Sequence, residues 1–194
     1  MMNVPRPAES RVKNVTAQML PHAYREGCPV ALSDLRAVSF DHLGFDDAVH
    51  EGTLIVHRMI AAPILEAFTA ALEMGFPLRQ AIPIDDPAFK GDDFVSMAAN
   101  NTSCFNYRTI AGTDRVSMHS WGLAVDINPA LNPYLAEDGI WYPDASNVDR
   151  SARPGVFTSD HPLTELLQDL GFEWGGSWAQ PDFHHFQWRQ GPPA

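Results

Sequence analysis

The stretch Ser117-Met-His-Ser-Trp-Gly-Leu-Ala-Val-Asp126-Ile-Asn128 decides how this chain can fold. In its second half the aliphatic residues at positions 123, 125 and 127 alternate with Ala124, Asp126 and Asn128. A period of two predicts a β-strand whose aliphatic side faces the core. The other side places Asp126 beside the small Ala124, which leaves room for a group to approach the carboxylate. Gly122 permits a bend that would bring His119 to the same side.

A second segment, Asp182-Phe-His-His185-Phe, lies far downstream. Together the two segments supply three side chains that can bind a metal and one spare carboxylate. A catalytic zinc site needs such a set: three protein ligands, an open position for water and a base nearby. A carboxylate within an otherwise aliphatic strand also needs a partner, and a metal supplies one.

The rest of the chain shows helix and strand patterns without regular strand–helix alternation, which favours an α+β fold. We predict strands at 52–57, 78–84, 172–174 and 183–188, with a polar loop at 85–101. Apolar spacing predicts a helix over 62–74 that ends at Gly75. A second helix begins near Ser159 or Asp160, with Pro162 in its first turn, and ends at Gly171. The first 30 or so residues are weakly patterned and are expected to wrap the core as an arm.

Composition limits the functional classes. The chain has 194 residues, of which 45% are hydrophobic and 19% charged, as in a globular domain. A net charge of -11 argues against nucleic acid as a partner, because phosphate binding needs clustered Lys and Arg. The sequence has no run of 18 apolar residues and no apolar leader at its start, so we expect no membrane span and leave the export route open. Cys28 and Cys104 are expected to be free thiols, although one disulfide is possible.

The spaced motifs Ser-x-His-x-x-Gly-x-Ala-x-Asp and Asp-x-x-His-Phe resemble the zinc D-alanyl-D-alanine carboxypeptidase and L-alanyl-D-glutamate endopeptidase family. That family includes bacterial D,D-peptidases and phage endolysins. Residues 100–108, 126–134 and 174–178 also resemble its endolysin-like branch, so the similarity spans roughly Gly52 to Trp188. The resemblance implies one peptidase domain over 1–194, with an arm at about 1–50 and a catalytic core at 52–188. It also implies a small, mainly antiparallel sheet that carries the zinc, with helices packed on the other face.

The resemblance assigns a role to each motif residue. His119, Asp126 and His185 become the ligands of one Zn²⁺ per chain, and Asp182 becomes the general base that takes a proton from the zinc-bound water. Arg108 becomes the cation beside the reacting carbonyl; alternatively it pairs with one of the many acidic residues. Ser117 is a candidate substrate-binding residue or support for a ligand, and a simple turn hydroxyl is the other interpretation.

The doublet His184-His185 offers two possible ligands. The family spacing of three residues after Asp182 selects His185. Neighbours in a strand face opposite sides, so His184 is expected to point away, to solvent or to the rim of the cleft. We expect Asp92 and Asp93 to be solvated loop carboxylates. The remaining histidines and tryptophans are expected to be surface or core residues, although three of the tryptophans could form the floor of a cleft (Trp121, Trp174 and Trp178).

The resemblance implies a monomeric enzyme that acts at the cell wall on peptidoglycan peptides. Carboxypeptidase and endopeptidase activity are both open, as are a bacterial and a phage origin. The alternative is a catalytically silent, zinc-bearing binding domain of the same fold. Asp182 favours the enzyme, because a silent domain has no need of a base at the family position.

Overall fold

The computed structural model describes residues 11–110 and 112–193. Its elements are strands and helices in a mixed α+β order, which confirms the predicted fold class. In chain order they are β1 (Val12–Asn14), β2 (Leu35–Leu43), β3 (Val49–His57), α1 (Ala61–Glu73), α2 (Asp93–Ala98), β4 (Ala124–Asp126), β5 (Tyr134–Leu135), β6 (Trp141–Tyr142), α3 (Pro162–Asp169), β7 (Phe172–Trp174) and β8 (His185–Trp188).

The first sheet is antiparallel, in the order β1-β2-β3. Strands β2 and β3 pair along their whole length, from Leu35 opposite His57 to Leu43 opposite Val49. Helix α1 packs on β2, where the rings of Phe40 and Phe68 stack with centroids 4.2 Å apart. The expected arm covered residues 1–50, but residues 35–50 belong to this strand pair and do not fit a peripheral arm. Residues 1–10 of the expected arm lie outside the described residues.

The reason for this difference lies in β2 itself. Its charged and polar residues, such as Arg36 and His42, obscure the apolar period in the sequence. In the structure Val38 and Phe40 are almost completely buried beneath α1. Strand β2 is consequently the central strand of its sheet and a part of the core.

The second sheet, in the order β4-β8-β7, is also antiparallel and carries the metal-binding motifs. The predicted strand over 123–128 is observed as β4, and its residues are buried on both faces. Asp126 lies directly opposite His185 on β8. Gly122 has a φ of 65°, so the predicted bend is confirmed. Pairing of two short strands thus joins motifs that are far apart in sequence.

The predicted helices are confirmed, with small changes at their ends. Helix α1 stops just before Gly75, whose φ is 70°. The N-cap of α3 is His161, and neither Ser159 nor Asp160, because its ring accepts a hydrogen bond from the backbone N–H of Leu163 at 3.1 Å. Helix α3 packs on β7, on the far side from the metal-binding residues, as the resemblance implied.

Two segments between the sheets differ from expectation. Residues 78–84 contribute only an isolated bridge, Gln80 with Asn101, instead of a strand. The polar segment 85–101 contains helix α2, which begins because the Asp92 carboxylate accepts a hydrogen bond from the backbone N–H of Val95 at 3.1 Å. Both Asp92 and Asp93 thus belong to a helix start and not to a solvated loop.

One hydrophobic cluster joins both sheets and helices α1 and α3, with Phe40, Phe68, Leu123, Leu167 and Phe186 among its buried members. Cys28 and Cys104 are unpaired thiols, as expected. Within residues 11–110 and 112–193, no helix has the length and apolar character needed to cross a membrane.

Candidate metal centre

His119 lies in a single 3-10 turn, Met118–Trp121, that precedes β4. The Ser117 hydroxyl accepts a hydrogen bond from the His119 backbone N–H at 3.2 Å and so caps this turn. On the side chain, Nδ1 of His119 lies 2.6 Å from the carbonyl oxygen of Cys104. A carbonyl only accepts hydrogen bonds, so Nδ1 carries the proton and Nε2 is turned toward Asp126.

Three ligand atoms converge at the end of β4. Nε2 of His119 is 3.1 Å from Oδ2 of Asp126, and Nδ1 of His185 is 2.9 Å from Oδ1 of Asp126. The two imidazole nitrogens that face the carboxylate, on His119 and His185, are 3.3 Å apart. All three side chains are buried or nearly so. In the described part of the chain, this is the group of acidic, His or Cys residues whose atoms are close enough to hold a metal ion.

The spacing and the chemistry of these atoms fit a zinc ion. Metal–ligand bonds of about 2.0–2.1 Å in a tetrahedron place the ligand atoms about 3.3 Å apart, close to the observed separations. Because Nδ1 of His119 is committed to a carbonyl, a neutral His119 directs a lone pair at a carboxylate oxygen. That contact is repulsive unless a cation lies between the two atoms. The hydrogen bond to Cys104 also fixes the ring, as partners of metal-bound imidazoles do.

The pKa shifts of these side chains also favour a bound cation. Burial alone would raise the pKa of Asp126, but positive charge on His119 and His184 and hydrogen bonds from His119 and His185 hold that pKa well below its usual range. Burial would lower the pKa of His185, but the hydrogen bond and charge of Asp126 outweigh it and raise that pKa. The centre therefore attracts positive charge, which a metal cation can supply in place of protons.

Asp182 lies beside this centre in a different environment. Its backbone is held by the bridge to Tyr134 and by a 3.0 Å hydrogen bond from its N–H to the carbonyl of Gly175. Its Oδ1 is buried and forms no hydrogen bond within the described residues. Burial raises the pKa of the Asp182 carboxyl, against the nearby charge of His184 and His185. A carboxylate that is short of hydrogen bonds is well suited to accept a proton.

His184 is not directed to solvent or to the cleft rim, so that expectation was wrong. The residue is 3% exposed, and its Nδ1 donates a hydrogen bond to the carbonyl of Asn132 at 2.7 Å. Its Nε2 lies 3.2 Å from Oδ1 of Asp182 and 3.9 Å from Oδ2 of Asp126. Strand β8 begins only at His185, so strand alternation does not govern His184. Both histidines of the doublet consequently belong to the site.

A cleft of about 720 Å³ opens onto the metal-binding residues. Arg108 lines it, as do Ser117 and Asp182. The Arg108 guanidinium also pairs with an acidic residue, since its Nη2 is 3.1 Å from Oδ2 of Asp93. Arg108 therefore lies in the cleft, as the resemblance implied, and also pairs with an acidic residue, as the alternative interpretation had it. Its Nε is buried without a hydrogen-bond partner in the described residues.

The aromatic residues divide between cleft and core. Trp178 lines the cleft, with its ring centroid 5.4 Å from that of His185. Trp174 is buried in the core and Trp121 packs against it. Tyr134, which the sequence did not single out, lines the cleft edge-on to His184 at 5.7 Å. Burial and the charges of Asp182 and Asp93 raise the pKa of Tyr134 to about 12, so its hydroxyl keeps its proton at neutral pH.

The other five histidines lie outside the cleft lining, as expected (His22, His42, His50, His57 and His161). Ser117 is a turn hydroxyl by its hydrogen bond and a cleft residue by its position, which leaves a contact with substrate as a prediction.

Comparison with known protein families gives a match to part of the chain. Residues 111–188 match the family model described as D-alanyl-D-alanine carboxypeptidase. The match is shorter than the similarity expected from Gly52 onward, and Arg108 lies just outside it. Neither a curated protein nor a solved structure shows significant similarity to the chain. The segment that matches this D-alanyl-D-alanine carboxypeptidase model contains His119, Asp126 and His185, which could hold a metal ion, together with Asp182.

Proposed function

We propose that this protein is a zinc metallopeptidase that hydrolyses peptide bonds in peptidoglycan stem peptides. The observation that carries the proposal is the convergence of His119, Asp126 and His185 beside Asp182 at one cleft, within the segment that matches the carboxypeptidase family model. We further propose that the protein acts as a monomer at the cell wall, with one Zn²⁺ per chain.

The two imidazoles and the Asp126 carboxylate would hold zinc with a net charge of about +1, which is still a strong Lewis acid. Zinc bound there would polarise the peptide carbonyl and lower the pKa of water. Asp182 would accept the proton of the attacking water and pass it to the leaving amine. Arg108, on the wall of the same cleft, would stabilise negative charge that develops on the carbonyl oxygen.

The cleft supports a peptide substrate by its composition. Apolar side chains such as Phe94 and Met118 line it together with hydrogen-bonding groups such as Gln180 and Gln187. Clefts of about 300–1,000 Å³ with an apolar lining and a few polar groups typically bind small organic ligands, and a short peptide is of that size class. Cleavage of the terminal D-Ala-D-Ala bond and cleavage of an internal L-Ala-D-Glu bond are both compatible with a cleft of this kind.

Incubation of the zinc-loaded protein with purified muropeptides, followed by mass spectrometry, tests the proposal. We expect loss of one defined fragment, whose mass identifies the bond that is cleaved. Asp182→Asn is the matched control, because it keeps the shape of the side chain and removes the base. Stoichiometric zinc without cleavage of any stem peptide would contradict the proposal and favour a silent zinc-bearing binding domain.

A further inference from the structure

The ion pair between Asp93 and Arg108 carries a further inference, which rests on the proposed function. Nη2 of Arg108 lies 3.1 Å from Oδ2 of Asp93, and the two side chains are only 26% and 21% exposed. Both residues line the cleft that contains the metal-binding residues. We propose that Asp93 is a positioning residue, which holds the Arg108 guanidinium on the cleft wall in the orientation that the substrate requires.

Arg108 is anchored from two sides. Its backbone N–H donates to the Ser120 hydroxyl at 3.0 Å, and its carbonyl accepts from that hydroxyl at 2.7 Å. These bonds tie the Arg108 backbone to the turn that carries His119. The side chain, by contrast, has one acidic partner among the described residues, Asp93 at the start of α2. The direction of the guanidinium relative to the metal centre therefore depends on this contact.

The charges in the cleft show why the contact is needed. Asp126, Asp182 and Glu137 also line the cleft, and each is an alternative partner for a long, flexible cation. If Arg108 paired with Asp182, its positive charge would favour the ionised carboxylate and weaken the base. The ion pair with Asp93 holds the guanidinium on the side of the cleft where α2 begins. The Nε of Arg108 is buried and has no hydrogen-bond partner in the described residues. An unsatisfied buried donor costs stability, so a contribution to stability does not explain why Arg108 lies there.

A structural role alone predicts little effect on catalysis. Ion pairs with partial solvent exposure usually contribute about 0–1 kcal/mol to stability. Misplacement of a catalytic group by about 1 Å, however, can lower a rate about 100-fold. We expect Asp93→Ala to lower kcat about 10-fold to 100-fold on that basis, with little change in zinc content or KM. Asp93→Asn keeps an acceptor oxygen but loses the charge, so its kcat should lie between those of Asp93→Ala and the wild type.

Two comparisons separate positioning from folding. Asp92→Ala removes the cap of the same helix but leaves the Asp93 carboxylate, so it should lower stability while kcat changes far less than in Asp93→Ala. In an Arg108→Ala background, Asp93→Ala should have no further effect on kcat, because the group that it positions is gone. Equal kcat losses in Asp92→Ala and Asp93→Ala, or additive losses in the double variant, would overturn the proposal.

A measurement without turnover distinguishes this proposal from the proposed function. The Nη2–H protons of Arg108, which face Asp93, should give a slowly exchanging NMR signal, identified by its loss in Arg108→Lys. In Asp93→Ala we expect that signal to exchange rapidly. An unchanged signal would refute the positioning role even if the enzyme is active. If the wild type cleaves no stem peptide but the signal is lost in Asp93→Ala, the proposed function fails and the hold of Asp93 on Arg108 stands.

Discussion

Asp126 and Asp182 are carboxylates of one small site with opposite electrostatic environments. Histidine charges and hydrogen bonds hold the pKa of Asp126 down, whereas burial raises the pKa of Asp182. A carboxylate that is stabilised as an anion is suited to bind a metal. One whose anion is poorly stabilised is suited to exchange a proton at working pH. Their surroundings, more than their residue type, therefore suit Asp126 to the proposed role of ligand and Asp182 to the proposed role of base.

Replacement of Asp182 by Asn tests this separation. We expect zinc content to be unchanged and kcat to fall on the order of 10²–10⁴-fold, as for loss of a general base. A group with a raised folded-state pKa loses its stabilising contribution as the pH rises through that pKa. The metal-free variant should consequently unfold at a higher temperature than the metal-free wild type at neutral pH, and this gain should vanish in acid. Loss of zinc from the variant would show that Asp182 is a ligand.

Replacement of Arg108 by Ala tests the proposed charge on the cleft wall. We expect kcat to fall more than KM rises, because the interaction strengthens as negative charge develops on the carbonyl oxygen. Loss of one such donor typically costs about 3–4 kcal/mol of barrier. Arg108→Lys should restore activity only in part, since an ammonium lacks the planar fork. Steady-state kinetics on a defined stem peptide measures kcat and KM for each variant. If only KM changes, Arg108 binds a substrate carboxylate and does not stabilise the developing charge.

At the scale of elements, the site depends on one turn and one strand pair. The turn Met118–Trp121 and the left-handed Gly122 return the chain so that His119 faces Asp126 on β4. Pairing of β4 with β8 then sets His185 opposite Asp126. A Cβ at position 122 would lie 2.8 Å from the backbone nitrogen of His57 and 3.1 Å from the carbonyl carbon of Val56. The close approach of β3 thus requires glycine there.

Gly122→Ala should lower both stability and zinc affinity. A left-handed conformation costs a non-glycine residue roughly 1–2 kcal/mol, and the contact with the β3 backbone adds to that cost. Gly75→Ala is the matched control, because Gly75 has a similar φ of 70° but no atom within 4 Å of its added Cβ. Thermal unfolding and zinc titration of both variants compare the effects. Equal losses in the two variants would mean that the contact with β3 is unimportant.

At the scale of the whole molecule, a metal held at this site would link segments that are 66 residues apart, at His119 and His185. A ligand that binds only the folded state adds about 4 kcal/mol to the free energy of unfolding at a thousandfold excess over its dissociation constant. Bound zinc should therefore stabilise the sheet β4-β8-β7 against unfolding, because the few residues of its strands alone stabilise it less.

Removal of zinc by a chelator should lower the unfolding temperature, and His119→Ala should remove the response to zinc. The stabilisation by zinc should weaken as the pH falls. Zinc must displace a proton from His185, whose pKa is raised in the metal-free protein, so competition begins at a higher pH than for an ordinary histidine. Metal analysis and thermal unfolding with and without zinc measure both effects. No zinc uptake by the wild type at neutral pH would contradict the metal site itself.

Local patterns in the sequence determined much of this protein. The period of two around Asp126 predicted β4, the helical spacing before Gly75 predicted α1, and the motif spacing selected His185 from the doublet. These features depend on neighbours along the chain, or on a spacing that relatives share, and both can be seen without a structure. The resemblance contributed the proposed ligand set, since composition alone does not separate a metal ligand from a buried histidine.

Only the tertiary structure decided what surrounds these residues. The burial of His184 against Asp182, the pairing of Arg108 with Asp93 and the central place of β2 all depend on packing between distant segments. Residues 78–84 have the composition of a strand, but within the described residues they form just one backbone bridge, Gln80 with Asn101. A side chain acquires its partner, its exposure and its pKa from atoms that folding brings near, and one-dimensional patterns do not record those neighbours.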